Sequence, residues 1–166
     1  SVRIDGFDRG DRTSIDLPAV QKKMLSSLLA TGKPVIFVLM TGSAVGLEWE
    51  DRNVPAIINA WYAGQAGGDA VADVIFGDYN PAGRLPVTFY RSVADLPDFE
   101  DYSMEGRTYR YFRGKPVYAF GHGLSYTDFN YSDLRISRLG DGSLKVLVKV
   151  TNSGERDGDE VVQLYI

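Results

Sequence analysis

The sequence predicts an α/β fold: part of a layered α/β sandwich domain, followed by the first strands of an antiparallel β-sandwich. Two patterns carry this. Up to residue 90, helix-periodic segments alternate with short continuous apolar runs, as in a sheet covered by helices. From Phe129 onward, apolar and polar residues alternate in segments separated by turn residues, the pattern of antiparallel strands.

Residues 1–14 are polar and contain glycine, which predicts a surface loop. Asp16 is placed to cap a helix with Pro18 just inside it. Leu17, Val20, Met24, Leu25, Leu28 and Leu29 then form one apolar face at helical spacing, and Gly32 stands where a left-handed residue ends the helix. Residues 35–40 are wholly apolar, with three β-branched residues, and predict a strand covered on both faces. Residues 47–53 are acidic and polar. A second apolar run follows from Val54 to Tyr62, then a glycine-rich loop, Gly64 to Gly68. Residues 69–76 predict a helix stopping at Gly77, Asn80-Pro81-Ala82-Gly83 a turn, and Leu85–Tyr90 a third strand. Three strands make a thin sheet, so part of this domain's core is expected elsewhere.

Residues 91–118, rich in Tyr, Phe, Asp and Arg, show no period and predict a long surface excursion pinned by aromatic rings. Strands are expected at 131–137, 144–151 and 160–166. A sandwich of this type needs about seven strands, so three imply an incomplete domain. The opening Ser-Val-Arg reads as an internal cut.

Composition narrows the function. Hydrophobic residues are 44% and charged residues 24% of the chain, with a net charge of −4. That balance gives no electrostatic reason to expect nucleic acid or an anionic membrane as partner. There is no cysteine, hence no disulfide framework, thiolate metal site or cysteine nucleophile. The run 35–40 is far shorter than the roughly 20 residues of a membrane span. Residues 1–15 carry Arg3, Asp5, Asp8, Arg9, Asp11 and Arg12 and no apolar core, unlike a signal peptide.

The loop Gly64–Gly68 opens a helix but matches neither phosphate-binding glycine motif, so tight packing is its expected role. His122, the only histidine, lies three residues before Ser125, outside any nucleophile-elbow pattern. Acid–base chemistry by carboxylates needs a pair of them, one to give and one to take a proton or to attack. The candidates are Asp5, Asp8, Asp11, Glu48, Glu50, Asp51, Asp73, Asp98, Glu100, Asp101 and Glu105, and spacing alone selects no pair among them. Trp49, Trp61, Tyr102, Tyr109, Tyr111 and Phe112 could stack on sugar rings or pack beneath the long loop. Arg107, Arg110 and Arg113 are expected to pair with the acids at 98–105.

Several stretches together resemble the second domain of family 3 glycoside hydrolases, the family of β-glucosidases and β-xylosidases. These are Gly10-Asp11-Arg12-Thr13 with Ile15-Asp16-Leu17-Pro18; Gly32-Lys33-Pro34-Val35; Trp61-Tyr62-Ala63-Gly64-Gln65-Ala66-Gly67-Gly68; Phe76 to Phe89; and Tyr118 to Thr127. The last motif closes the family's α/β sandwich domain, so the resemblance implies domains at 1–127 and 128–166. The second is identified as an incomplete fibronectin type III-like domain from Val150–Gly154 and Glu160–Ile166.

The resemblance implies a fragment of an exo-acting retaining β-glycosidase. Its substrate would be a β-linked oligosaccharide or glycoside, with glucose ahead of xylose. The alternatives are a β-xylosidase, a non-catalytic carbohydrate-binding or interaction module, and an esterase-like enzyme using Ser125 and His122. The family's nucleophile is an Asp on an N-terminal barrel domain, the chain's expected partner. Its acid/base Glu lies in a loop that would precede Ser1. No catalytic carboxylate is therefore expected in this chain, which alone should be inactive. Asp11, Arg12 and Glu105 are the residues expected to line the site. No metal, nucleotide or organic cofactor is implied. A homo-oligomer is compatible with the family, and a periplasmic or secreted location is favoured by the resemblance.

Overall fold

The computed structural model describes the backbone of residues 7–8 and residues 11–166. Asp5 lies outside the described residues, as do the side chains of Asp8 and Asp11. Most of the loop expected at 1–14 also falls there. Within it, β1 (Phe7–Asp8) pairs with β2 (Asp11–Arg12) as a short antiparallel hairpin.

The chain divides into two units. The first comprises residues 1–68 and 85–122, the second 69–84 and 123–166. In the first unit, helix α1 (Ala19–Leu29) is entered differently from the expectation. Pro18 holds the cap position, and its carbonyl accepts from the amides of Gln21 and Lys22 at 2.9 and 3.1 Å. Asp16 instead forms a parallel bridge with Gly46, which commits its backbone to a neighbouring strand-like segment. The exit follows expectation. Gly32 has φ +73°, and its amide donates to the Leu29 carbonyl at 3.0 Å. Glycine takes this conformation without the clash a Cβ brings.

β3 (Ile36–Leu39) and β4 (Ala56–Asn59) form a two-stranded parallel sheet, with Ile36 opposite Ala56 and Leu39 opposite Asn59. The crossover between them contains α2 (Glu48–Asn53), where the sequence showed only an acidic stretch. Glu48, Glu50 and Asp51 lie in its first turn, where negative charge favours the helix dipole. The Arg52 guanidinium bonds Glu48 one turn back at 2.6 Å.

The core of this unit is Leu17, Leu25, Leu39, Val45, Leu47 and Phe89, flanked by Trp61 and Tyr118. Phe89 packs edge-on against both rings at 6.1 Å. The apolar face expected on α1 is only partly used. Leu17 and Leu25 are buried, whereas Val20, Met24 and Leu28 are exposed. Ile36 and Met40 are likewise exposed, so the strand at 35–40 is not covered on both faces. A sheet of two strands is too narrow to cover a helix stripe of this width.

Leu85–Tyr90 does not join the sheet as a third strand. It runs antiparallel to 117–122, with Leu85 N–H to the His122 carbonyl at 2.8 Å and Phe89 N–H to the Tyr118 carbonyl at 2.9 Å. Only Phe89–Tyr118 is a ladder bridge. Pro86, the second residue of the segment, has no amide donor, which shortens any ladder there. The excursion that follows carries a 3₁₀ turn (Val93–Asp95) and a short α-helix, Thr108–Tyr111.

The second unit holds most of α3 (Gly67–Phe76), which begins in the first. Its turn at Asn80 is bonded to Ser125 and Tyr126. Beyond it, β5 (Phe129–Arg138) and β6 (Leu144–Asn152) form an antiparallel hairpin with an irregularity between Ser132 and Arg135. The strand expected at 160–166 is absent: residues 153–166 form no ladder. Glu160 is held by its side chain instead, 2.8 Å from Arg84 and 2.6 Å from the Tyr131 hydroxyl. Among the described residues, no helix is long and apolar enough to cross a membrane.

Candidate functional site

Parallel sheets place ligands beyond the carboxyl ends of their strands, where the connecting loops diverge. In the first unit, Gly42-Ser43-Ala44 follows β3 and Trp61 follows β4. With Pro86–Thr88, Tyr90, Thr108, Tyr109 and Phe120 these residues line a cleft of about 750 Å³. Tyr109 and Phe120 stack at 4.5 Å with planes 29° apart. The Tyr90 hydroxyl accepts the Thr108 amide at 2.7 Å. Trp61 and Thr108 have φ of 53° and 60°, the left-handed region that side chains other than glycine rarely enter. Thr88 is 6% exposed, and its Oγ1 has no partner among the described residues.

Arg12 reaches this cleft indirectly. Its Nη1 donates to Ser43 Oγ at 3.1 Å, and its Nε to the Ser14 carbonyl at 3.2 Å. Glu105 lies elsewhere, in a second cleft of about 620 Å³ lined also by Asp95, Met104, Tyr111 and Phe112. The structure therefore does not gather Arg12 and Glu105 around one point.

Several other carboxylates are engaged by neighbouring groups. Glu48 pairs with Arg52 and, at 3.4 Å, with Arg91. Asp51 accepts the Tyr118 hydroxyl at 2.7 Å. Asp95 accepts the amides of Arg91 and Ser92 at 3.0 and 3.4 Å. Asp101 accepts the Ser103 amide at 2.8 Å, and that bond lowers its pKa below the usual carboxylate range. Glu50 is fully buried, and neither of its oxygens has a partner among the described residues. Burial, then the bond to Asp51 and the charges of Asp51 and Glu50, raise the Tyr118 hydroxyl well above its usual value. The larger cleft has no carboxylate among its lining residues, whereas the smaller one is lined by two, Asp95 and Glu105.

Other expected features resolve individually. A Cβ at Gly67 would collide with Ala63, so close packing requires glycine there, whereas a Cβ at Gly64 or Gly68 would meet open space. Ser125 Oγ is bonded to Asn80 and receives the Thr127 amide at 3.2 Å, while the His122 ring stacks on Tyr118 at 4.8 Å. Ser125 therefore has a fixed structural partner. Arg107 binds the carbonyls of Asp98 and Asp101 at 3.1 and 2.6 Å, bracing the loop through its backbone rather than its acids. Of the aromatics, Trp61 and Tyr109 line the larger cleft and Tyr111 and Phe112 the smaller. Trp49 packs on the core, and Tyr102 is 89% exposed. Among the described residues, no group of three or more acidic or histidine side chains could hold a metal ion. Sequence reasoning missed Ser43, Thr88 and Tyr90 as cleft residues, because isolated hydroxyls carry no spacing signal.

Known proteins share both the sequence and this fold. The profile of the glycosyl hydrolase family 3 C-terminal domain matches residues 2–126. A xylan 1,4-beta-xylosidase of Xylanibacter ruminicola is 54% identical over 99% of this chain and 19% of its own length. The periplasmic beta-glucosidase of Salmonella typhimurium is 42% identical over 96% of the chain and 23% of its own length. The structure of beta-glucosidase 3B from Thermotoga neapolitana superimposes with a TM-score of 0.79 at 35% identity, covering 93% of this chain and 24% of that one. The chain thus spans about a quarter or less of these relatives. Its match to the domain profile, together with relatives of this identity and a shared fold, shows that it belongs to glycoside hydrolase family 3 and carries the C-terminal domain.

Proposed function

We propose that the chain is part of an exo-acting retaining β-glycosidase that removes terminal β-linked glucose from oligosaccharides or glycosides. Family membership across residues 2–126 is the observation that carries this reading. Residues 1–127 form the α/β sandwich domain, and 128–166 open a fibronectin type III-like domain. The nucleophilic Asp comes from an N-terminal barrel of the same protein and the acid/base Glu from a loop preceding Ser1. Retention requires these carboxylates roughly 5–5.5 Å apart.

Asp11, Arg12 and Glu105 border the substrate in the full-length protein. Arg12, anchored on Ser43, supplies a fixed positive charge at that border. The exposed stripe Val20, Met24 and Leu28, and Ile36 with Met40, are covered by the rest of the enzyme. A periplasmic location follows the Salmonella relative's name. Homo-oligomerisation is compatible with this arrangement.

A second reading, a β-xylosidase, is favoured by the xylosidase name of the relative at 54% identity. Steady-state kinetics of the full-length protein on aryl β-glucoside and aryl β-xyloside separate the two. The β-anomer as first product in a proton NMR time course is expected for either. A larger kcat/KM on the xyloside would select the second reading, and turnover of neither would reject both.

A further inference from the structure

Two exposed surfaces of opposite charge have no use in the proposed reaction. The first is the turn at 98–102, in the first unit. Phe99 is 93% exposed and Tyr102 nearly as much, and the exposed acids Asp98, Glu100 and Asp101 flank them. The Asp101 amide closes the turn on the Asp98 carbonyl at 3.0 Å, and Arg107 binds the carbonyls of both. The rings are therefore presented by a braced backbone, so less conformational entropy is lost when a partner covers them.

The second surface is one side of the β5–β6 hairpin, in the second unit. Cross-strand partners share a side, and so do alternate residues of one strand. The register therefore sets Arg135 beside Leu147 and puts Lys145 and Lys149 on the same side. Tyr131, Ile136, Val146, Val148 and Val150 occupy the other. In a β-sandwich the apolar side faces inward, which leaves the cationic side to solvent. Arg135, Lys145 and Lys149 are exposed and form no ion pair among the described residues. Leu147, 50% exposed, stands between the two lysines.

The two surfaces match in charge and in layout. Each has an apolar centre, Phe99 and Tyr102 on one and Leu147 on the other, beside charges of a single sign. An apolar centre with a polar rim is how protein–protein contacts are built, and opposite charges on facing rims steer and orient the encounter. We propose that the turn at 98–102 of one copy docks on the cationic side of β5–β6 of a second copy of this protein. Phe99 lies against Leu147, and Asp98 and Glu100 face Arg135, Lys145 and Lys149.

The test is sedimentation equilibrium of the full-length protein at micromolar concentration, in low and then in high salt. A mass above that of one chain is expected in low salt, with weaker association in high salt as the facing charges are screened. Asp98→Lys with Glu100→Lys reverses the turn, and Lys145→Glu with Lys149→Glu reverses the hairpin side. Each protein should associate at least about 10-fold more weakly than the parent, because like charges then meet. All four side chains are exposed, so circular dichroism should show an unchanged fold. An equimolar mixture of the two proteins should regain association, since reversed turn then meets reversed hairpin and parent turn meets parent hairpin. A single-chain mass in low salt, association indifferent to salt or to either reversal, or a mixture that stays apart would overturn the contact. A parent of single-chain mass whose melting temperature falls on either reversal would also overturn it, because the rest of the protein would then be covering these surfaces. None of these measurements involves glycoside turnover, so the contact and the glycosidase reading fail separately.

Discussion

The Tyr118 hydroxyl donates to Asp51 Oδ1 at 2.7 Å, tying the segment after the long excursion to helix α2. The bond exists only while Tyr118 is protonated. Burial and the neighbouring carboxylates raise its pKa above that of the unfolded chain. The folded state therefore binds the proton more tightly, and this contribution to stability is complete below about pH 10, the unfolded tyrosine value. It declines as pH rises above that value toward the folded pKa. Denaturant unfolding of the full-length protein between pH 8 and 11 should show this alkaline loss. Tyr118→Phe should flatten it and lower stability at neutral pH by about 1 kcal/mol. An alkaline slope unchanged in Tyr118→Phe would show that other groups cause it.

Asn80 organises the second unit's turn. Its Oδ1 accepts the Tyr126 amide at 2.6 Å, and its Nδ2 donates to Ser125 Oγ at 3.0 Å. Asn80→Ala leaves that amide unsatisfied and should cost about 1–3 kcal/mol by denaturant titration. Ser125→Ala should cost less and leave any ester hydrolysis unchanged. Loss of esterase activity in Ser125→Ala would revive a serine-nucleophile mechanism.

Arg84 and Glu160 are 12% and 15% exposed and lie 2.8 Å apart. Removing one partner strands the other charge. Arg84→Ala or Glu160→Ala should each destabilise by about 3 kcal/mol. The double variant should lose less than the sum of the two. Additive losses in this double-mutant cycle would show that the charges do not stabilise each other.

Glu50 poses the opposite case, a buried carboxylate whose oxygens lack partners among the described residues. Glu50→Leu removes the two unpartnered oxygens at similar volume and should stabilise the full-length protein by about 1–2 kcal/mol, read from its melting curve. A fall in melting temperature would mean that another part of the protein supplies a positive partner.

The parallel strands were legible because uninterrupted apolar runs are what a layered sheet requires, and Gly32 because few other residues tolerate its φ. Helix α2 was hidden by its acidic composition: only Leu47 and Val54 at its caps and Glu50 within it are buried there, too few for a period. Asp16 resembled a cap, but a contact with Gly46, distant in sequence, took precedence. At the larger cleft, Trp61 and Tyr109 stood among the aromatic candidates. Thr88 did not, because strand alternation sets it opposite Phe89, whereas both are buried. The positive φ of Thr108 arises from tertiary constraint and has no sequence signature.

Both catalytic carboxylates are proposed to lie outside this chain. Hydrolysis of aryl β-glucoside and β-xyloside by a purified polypeptide of residues 1–166, run beside the full-length protein, tests it most directly. Turnover by the full-length protein and none by the fragment is expected. Turnover by residues 1–166 alone would contradict it, since two carboxylates of this chain would then be performing the chemistry.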